Sequence, residues 1–155
     1  MSCATRVSAA IEEIAAADCE RGSPDTDRKR ASRIAIIDHG VLTQDLFKHG
    51  LELASGFEVL TAATVEEWLD ATIGAPVALV ILCLREGQSV ADVRDRMHAL
   101  NIRQDSPVAI LADRELIDAE RVTWLLEQGA HGFISTEMPL KAAVHVLRMV
   151  CAAER

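Results

Sequence analysis

The side chains able to do chemistry fall where short apolar runs of the sequence end. Asp38 follows the run 34–37, and Cys83 lies near the end of the run 77–84. Ala112 and Asp113 follow the run 108–111, and Ser135 and Thr136 follow Phe133 and Ile134. A hard cation needs several converging oxygens; Asp38, Glu86 and Asp113 are the weak candidates, and no metal site is expected of them. The plainer role of Asp38 is to cap the turn into the following helix. Cys83 is a nucleophile or redox group only as a thiolate, which requires positive charge or a helix N-terminus nearby. Arg85 is the nearest basic residue in sequence, but strand alternation does not fix where it points. Free cysteine usually behaves as a small buried apolar residue, and that is the expectation here. His39 and His131 sit in loops and are not expected to ligate. The loop after the first run carries only Gly40, without the glycine pattern of a dinucleotide site.

The chain of 155 residues is half apolar, enough for the core of one domain. Its 24 acidic residues outweigh 16 lysines and arginines, for a net charge of -8. That balance opposes a nucleic-acid surface. The one basic cluster, Arg28-Lys29-Arg30, lies within a polar stretch and reads as a solvated linker. Cys3, Cys19, Cys83 and Cys151 show no CxxC pair and no zinc-like histidine spacing, in keeping with reduced thiols in the cytosol. Glu12, Glu13 and Asp18 interrupt the apolar stretch near the N-terminus, so no signal peptide is expected. The longest apolar run, 77–84, is far too short to cross a membrane. A soluble, cytoplasmic protein without cofactor is expected.

The elements that must position these groups follow from periodicity. Residues 1–32 form an extension: Val7, Ala10, Ile11, Ile14 and Ala17 recur at helical spacing, and 20–32 is a polar linker. From Arg33 onward, β-branched runs at 34–37, 57–60, 77–84, 108–111 and 133–134 alternate with helical stretches. The latter cover 43–54, 64–73, 90–102, 115–128 and 139–153. Thr64 and Glu67 form a capping box, Gly129 closes the fourth helix, and Pro139 opens the fifth. Continuous rather than alternating apolar strands imply a parallel sheet buried on both faces. The pattern predicts an α/β, flavodoxin-like doubly wound fold with strand order 2-1-3-4-5 and five helices. Ligands of such sheets bind beyond the carboxyl ends of the strands, where Asp38, Cys83, Ala112 and Thr136 should converge.

Residues from about 32 to 155 resemble the receiver domain of bacterial response regulators, in particular receivers that precede a helix-turn-helix domain. The resemblance is carried by IAIIDHGVL (34–42), ALVILCLREG (78–87), PVAILAD (107–113) and GAHGFIST (129–136). It implies a Mg²⁺-dependent phosphoacceptor pocket. An acidic pair falls on Ile37 and Asp38, the acceptor aspartate on Cys83, the hydroxyl on Ala112 and the lysine on Thr136. Only Asp38 matches. A neutral thiol is a poor ligand for Mg²⁺, and no lysine remains to clamp a transferring phosphoryl group. The resemblance therefore implies a degenerate, non-enzymatic pseudo-receiver in a two-component or transcription-control system.

Receivers commonly pair through the fourth helix, fifth strand and fifth helix, so a protein partner or a second copy is expected there. Trp124 should point away from the stripe Ala119, Val122, Leu125 and Leu126 and mark that interface. Lys141, His145 and Arg148 should lie on the solvated side of the last helix, opposite Leu140, Ala143, Val144, Leu147 and Val150. Trp68, beside Leu69, is expected in the core. Two alternatives remain open: the receiver half of a DNA-binding regulator whose helix-turn-helix is absent from this chain, and a thiol redox sensor using Cys83.

Overall fold

The computed structural model describes residues 33–71 and 77–153. The expected N-terminal helix and linker, residues 1–32, and the end of the second helix at Ile73 lie outside the described residues. The order is β1 (Arg33–Ile37), α1 (Val41–Ser55), β2 (Glu58–Ala62), α2 (Val65–Ala71), β3 (Leu79–Cys83) and α3 (Val90–Arg103). It continues with β4 (Val108–Ala112), a 3₁₀ turn (Arg114–Leu116), α4 (Ala119–Glu127), β5 (Gly132–Ser135) and α5 (Leu140–Ala153). The strands form one sheet in the order β2-β1-β3-β4-β5, and every neighbouring pair is parallel. This is the flavodoxin-like doubly wound fold expected from the sequence.

The sheet divides the core in two because strand side chains alternate between faces. One face packs Ala35, Ile37, Val80, Leu82 and Ile110 against Trp68, Met97, Leu100 and Leu125 of α2, α3 and α4. The other packs Ile34, Ile36, Leu79, Ile81, Ala109 and Leu111 against Leu51 of α1 and Ala143, Val144, Leu147 and Val150 of α5. Every residue of β1, β3 and β4 is buried, which explains their unbroken apolar runs.

Helix boundaries are set by local chemistry. Thr64 Oγ1 accepts the Glu67 N–H at 3.0 Å, and the Glu67 carboxylate accepts the Ala63 N–H at 3.2 Å. The capping box is thus present, with its return bond one residue earlier than usual. The expected fourth helix, 115–128, is broken. Arg114–Leu116 turns as 3₁₀, and Asp118 then caps α4 by accepting the Arg121 N–H at 2.8 Å. An N-cap aspartate satisfies an otherwise orphaned donor, which starts the helix anew.

The buried face of α4 also differs from the expected stripe. Leu125 is in the core, whereas Ala119 is exposed and Leu126 is 52% exposed. Trp124, expected to point outward, is half-buried and packs against the α2–α3–α4 core. On α5, Leu140 is exposed rather than buried, while Ala143, Val144, Leu147 and Val150 are buried as expected.

Gly129 ends α4 at φ +100°, with its N–H on the Leu126 carbonyl at 3.0 Å. A Cβ there would lie 2.6 Å from Asn101 Nδ2, which donates to the Gln128 carbonyl at 2.7 Å. Gly129→Ala should therefore cost about 1–2 kcal/mol from the left-handed backbone, and more if the Asn101 bond is displaced. Urea unfolding measures this; an unchanged midpoint would show that the turn relaxes without penalty.

Candidate functional site

The carboxyl ends of β1 and β3 bring Asp38 and Cys83 together. Asp38 follows β1, and its N–H donates to the Ala62 carbonyl at 2.9 Å. Its side chain is only 2% exposed. A buried carboxylate is costly unless it is paired and hydrogen-bonded, and Arg85 supplies both. Arg85 Nη2 lies 2.7 Å from Oδ1 and 2.6 Å from Oδ2, and Nε lies 3.1 Å from Oδ1. The Gly40 N–H adds a bond to Oδ1 at 3.2 Å. A Cβ on Gly40 would sit 3.1 Å from Arg85 Nη2, so glycine leaves room for the guanidinium.

The loop that carries Arg85 is fixed by its own bonds. Leu84 N–H donates to the Leu111 carbonyl at 2.8 Å, and Arg85 N–H donates to Gln88 Oε1 at 3.0 Å. Ser89 then caps α3, accepting the Asp92 N–H at 3.1 Å. Across the cleft, buried Gln44 of α1 donates to the Asp38 carbonyl and, at 2.8 Å, to the Ala62 carbonyl. It ties the first helix to the ends of β1 and β2. The hydrogen bond to Asp38 holds the Arg85 pKa above its ordinary value, outweighing partial desolvation.

Cys83 is buried beside this pair, 7% exposed. Burial pushes its thiol pKa up, the Asp38 charge pushes it further, and Arg85 opposes both only in part. The thiol is therefore held protonated, the state opposite to that of a reactive cysteine. Ile37, Asp38, Thr64, Leu82, Cys83 and Arg96 are among the residues around a cavity of about 10 Å³, the space of roughly one water.

The remaining positions take up other roles. Ile37 and Ala112 are core residues, 3% and 1% exposed. Thr136 is exposed, and its Oγ1 donates to Asp113 Oδ1 at 2.6 Å. Glu86 is exposed. Asp38, Glu86 and Asp113 are not gathered into a cation cluster. Among the described residues no group of three or more His, Cys, Asp or Glu side chains is placed to hold a metal. Asp38 is engaged by Arg85 and Asp113 by Thr136.

Lys141, His145 and Arg148 are exposed on α5, as expected, and Arg148 Nη2 donates to the Ser55 carbonyl at 3.3 Å. Trp124 does not join them. Its core lies on the opposite face of the sheet, and it lines an open cleft with Leu84, Arg85, Val93, Leu116 and Arg121. Arg85 and Gln44 are the residues that sequence reasoning missed as parts of the site. The basic residue two positions after Cys83 was the only available signal.

The fold is that of a doubly wound α/β domain, with the Asp38–Cys83 cleft at its β1–β3 switch point. No protein-family model matches the sequence, and no curated protein sequence matches it. Solved structures do. A response regulator receiver domain protein from Clostridium thermocellum superposes with TM-score 0.64 and 19% identity, covering 79% of this chain and 96% of that one. A CheY-like receiver domain protein from Methanospirillum hungatei JF-1 gives 0.64 and 19%, covering 79% and 95%. The chemotaxis protein CheY4 of Vibrio cholerae gives 0.65 and 20%, covering 77% and 98%. The chain thus has the fold of CheY-like receiver domains. Among the described residues no helix is long and apolar enough to cross a membrane.

The protonated state of Cys83 has two measurable consequences. Its alkylation by iodoacetamide at pH 8.5 should be at least about tenfold slower than that of free cysteine, until the protein unfolds. The folded chain also keeps a proton that the unfolded chain releases near its ordinary pKa of 9.0. Stability should therefore fall as pH rises above that value, by up to about 1.4 kcal/mol per pH unit from this group. Cys83→Ala should lack that part of the slope in urea unfolding at pH 8–10; identical slopes in both proteins would refute the assignment.

Proposed function

We propose that residues 33–155 form a cytoplasmic receiver-like interaction module of a two-component or transcription-control system, and that it neither accepts a phosphoryl group nor acts as an enzyme. The observation that carries this reading is the Arg85–Asp38 pair. In the receiver site that the resemblance implies, Asp38 would help hold Mg²⁺. Here both its oxygens face a guanidinium. Mg²⁺ demands a near-octahedral oxygen shell, and the residues present do not fit it. The acceptor position holds a buried neutral thiol, the hydroxyl position a methyl group, and the lysine position a threonine bonded to Asp113. Charge developing on a phosphoryl group would meet neither a metal nor an ammonium. The thiol pushed up by burial gives no support to a redox role for Cys83.

Incubation with acetyl phosphate and Mg²⁺ should leave the intact mass of the protein unchanged. Cys83→Asp should remain unmodified as well, because Arg85 still occupies Asp38 and position 136 still lacks a lysine. A stable phosphoryl adduct on the native chain would overturn the reading.

Without phosphorylation the switch would be partner or ligand binding, and the surface proposed for a protein partner is that of α4, β5 and α5. Leu126 and Met149 are 52% and 59% exposed there, and Lys141 and His145 of α5 are exposed as well. Large exposed apolar side chains with a polar surround are the composition of an interface. A homodimer through this surface is the expected assembly. Sedimentation equilibrium should show Lys141→Glu/His145→Glu shifted toward monomer; an unchanged mass would remove this surface from consideration.

A further inference from the structure

Arg85 borders two spaces. One is the site at Asp38; the other is the open cleft that Trp124 lines. Three segments build this cleft: the β3–α3 loop with the first turns of α3, the 3₁₀ turn, and α4. Val93 and Leu125, both buried, close it toward the core. Leu84, Leu116 and Trp124 are half-buried around it, and Val90 is exposed at its edge. The volume is about 60 Å³, room for roughly four to six waters. One side opens to solvent, so a single ring can enter and leave its substituent at the mouth. An apolar concavity with a few polar groups at its border has the composition of a small-molecule site.

The charge at this border runs against that of the chain. The net charge is -8, yet no Asp or Glu is among the residues around the cleft, whereas Arg85 and Arg121 both are. Arg121 is exposed, and its guanidinium forms no ion pair among the described residues. Arg85 commits Nε and Nη2 to Asp38; its Nη1 makes no hydrogen bond among the described residues. Buried groups leave few donors idle, but these two guanidiniums reach solvent and remain available to a ligand. With Asp38 counted, they leave one positive charge uncompensated, a balance that suits a monoanion. A guanidinium presents its N–H groups in a planar fork that matches a carboxylate.

The sheet order disfavours an extended peptide as the occupant. β3 and β4 are interior strands, so no strand edge is open here to a peptide backbone. The cleft offers an apolar slot and cationic side chains instead, and its space is that of one ring.

We infer that this cleft binds a small aromatic monocarboxylate, its ring among Leu84, Leu116 and Trp124 and its carboxylate held by Arg121 and by Nη1 of Arg85. The site does not depend on whether position 83 can accept a phosphoryl group, which the acetyl phosphate experiment decides separately. It also needs none of Lys141, His145 and Arg148 on α5.

Isothermal calorimetry of the full chain with phenylacetate tests it. One-site saturable binding is expected at low salt, with Kd below about 1 mM. Phenylacetamide, which keeps the ring and lacks the charge, should bind at least about tenfold more weakly. Acetate, which keeps the charge and lacks the ring, should show no saturation below about 10 mM. Arg121→Gln should weaken phenylacetate binding at least about tenfold, whereas Arg148→Gln on α5 should leave it unchanged. Val90→Trp, at an exposed position where the larger side chain fills the cleft, should abolish it. All three substitutions fall on exposed residues, and circular dichroism should show each variant folded. Absence of saturable phenylacetate binding would overturn the inference. So would equal binding of phenylacetamide, or native affinity in Arg121→Gln or Val90→Trp, since the cleft would then not be the site.

Discussion

The burial of one carboxylate constrains the whole functional edge of this domain. Asp38 lies at the end of a strand whose residues are all buried, and its side chain is nearly inaccessible. A charge in that position must be matched or the fold loses several kcal/mol. Arg85 matches it with a forked, planar donor set that an ammonium could not reproduce. Gly40 leaves the space, Gln44 holds the backbone on the far side, and Cys83 fills the remaining volume as a neutral group. Each of these residues has the form it has because the cation at this point is part of the chain.

The sheet makes that arrangement possible. The chain leaves β1 for α1 on one face of the sheet and β3 for α3 on the other, so the ends of these neighbouring strands adjoin at a switch point. In working phosphoacceptor sites of the type the resemblance implies, this gap serves an ion and a transferred group. Here it is reduced to the space of about one water. Apolar clusters pack on both faces of the sheet around it.

Most of the architecture was legible in the sequence because it rests on long-range averages. Five β-branched runs alternating with helical periods define the sheet, its order and its two-sided burial. The meeting of Asp38 and Cys83 followed from strand ends alone, whereas Ala112 lies in the core and Thr136 bonds Asp113. What was not legible depended on single side-chain directions. Arg85 lies beyond the end of β3, where strand alternation no longer dictates orientation, so its pairing with Asp38 could not be read. Gln44 has the composition of a surface residue, yet it is buried because two backbone carbonyls await its amide. On α4 the expected stripe ran through Leu125 to Leu126 and Ala119, a choice of face that periodicity over so short a helix does not fix. Leu126 is exposed and Trp124 is half-buried against the core instead.

The β3–α3 loop carries a further consequence. Its conformation is fixed by Gln88, Ser89 and the Leu111 carbonyl, and its guanidinium is already seated. The entropy of ordering this loop is therefore lost once, as the protein folds, and not each time a small ion arrives. An ion would have to displace the Arg85 guanidinium from Asp38 before it could order this loop in another way. Chelators and divalent cations alike should find the domain in a single conformation at this edge.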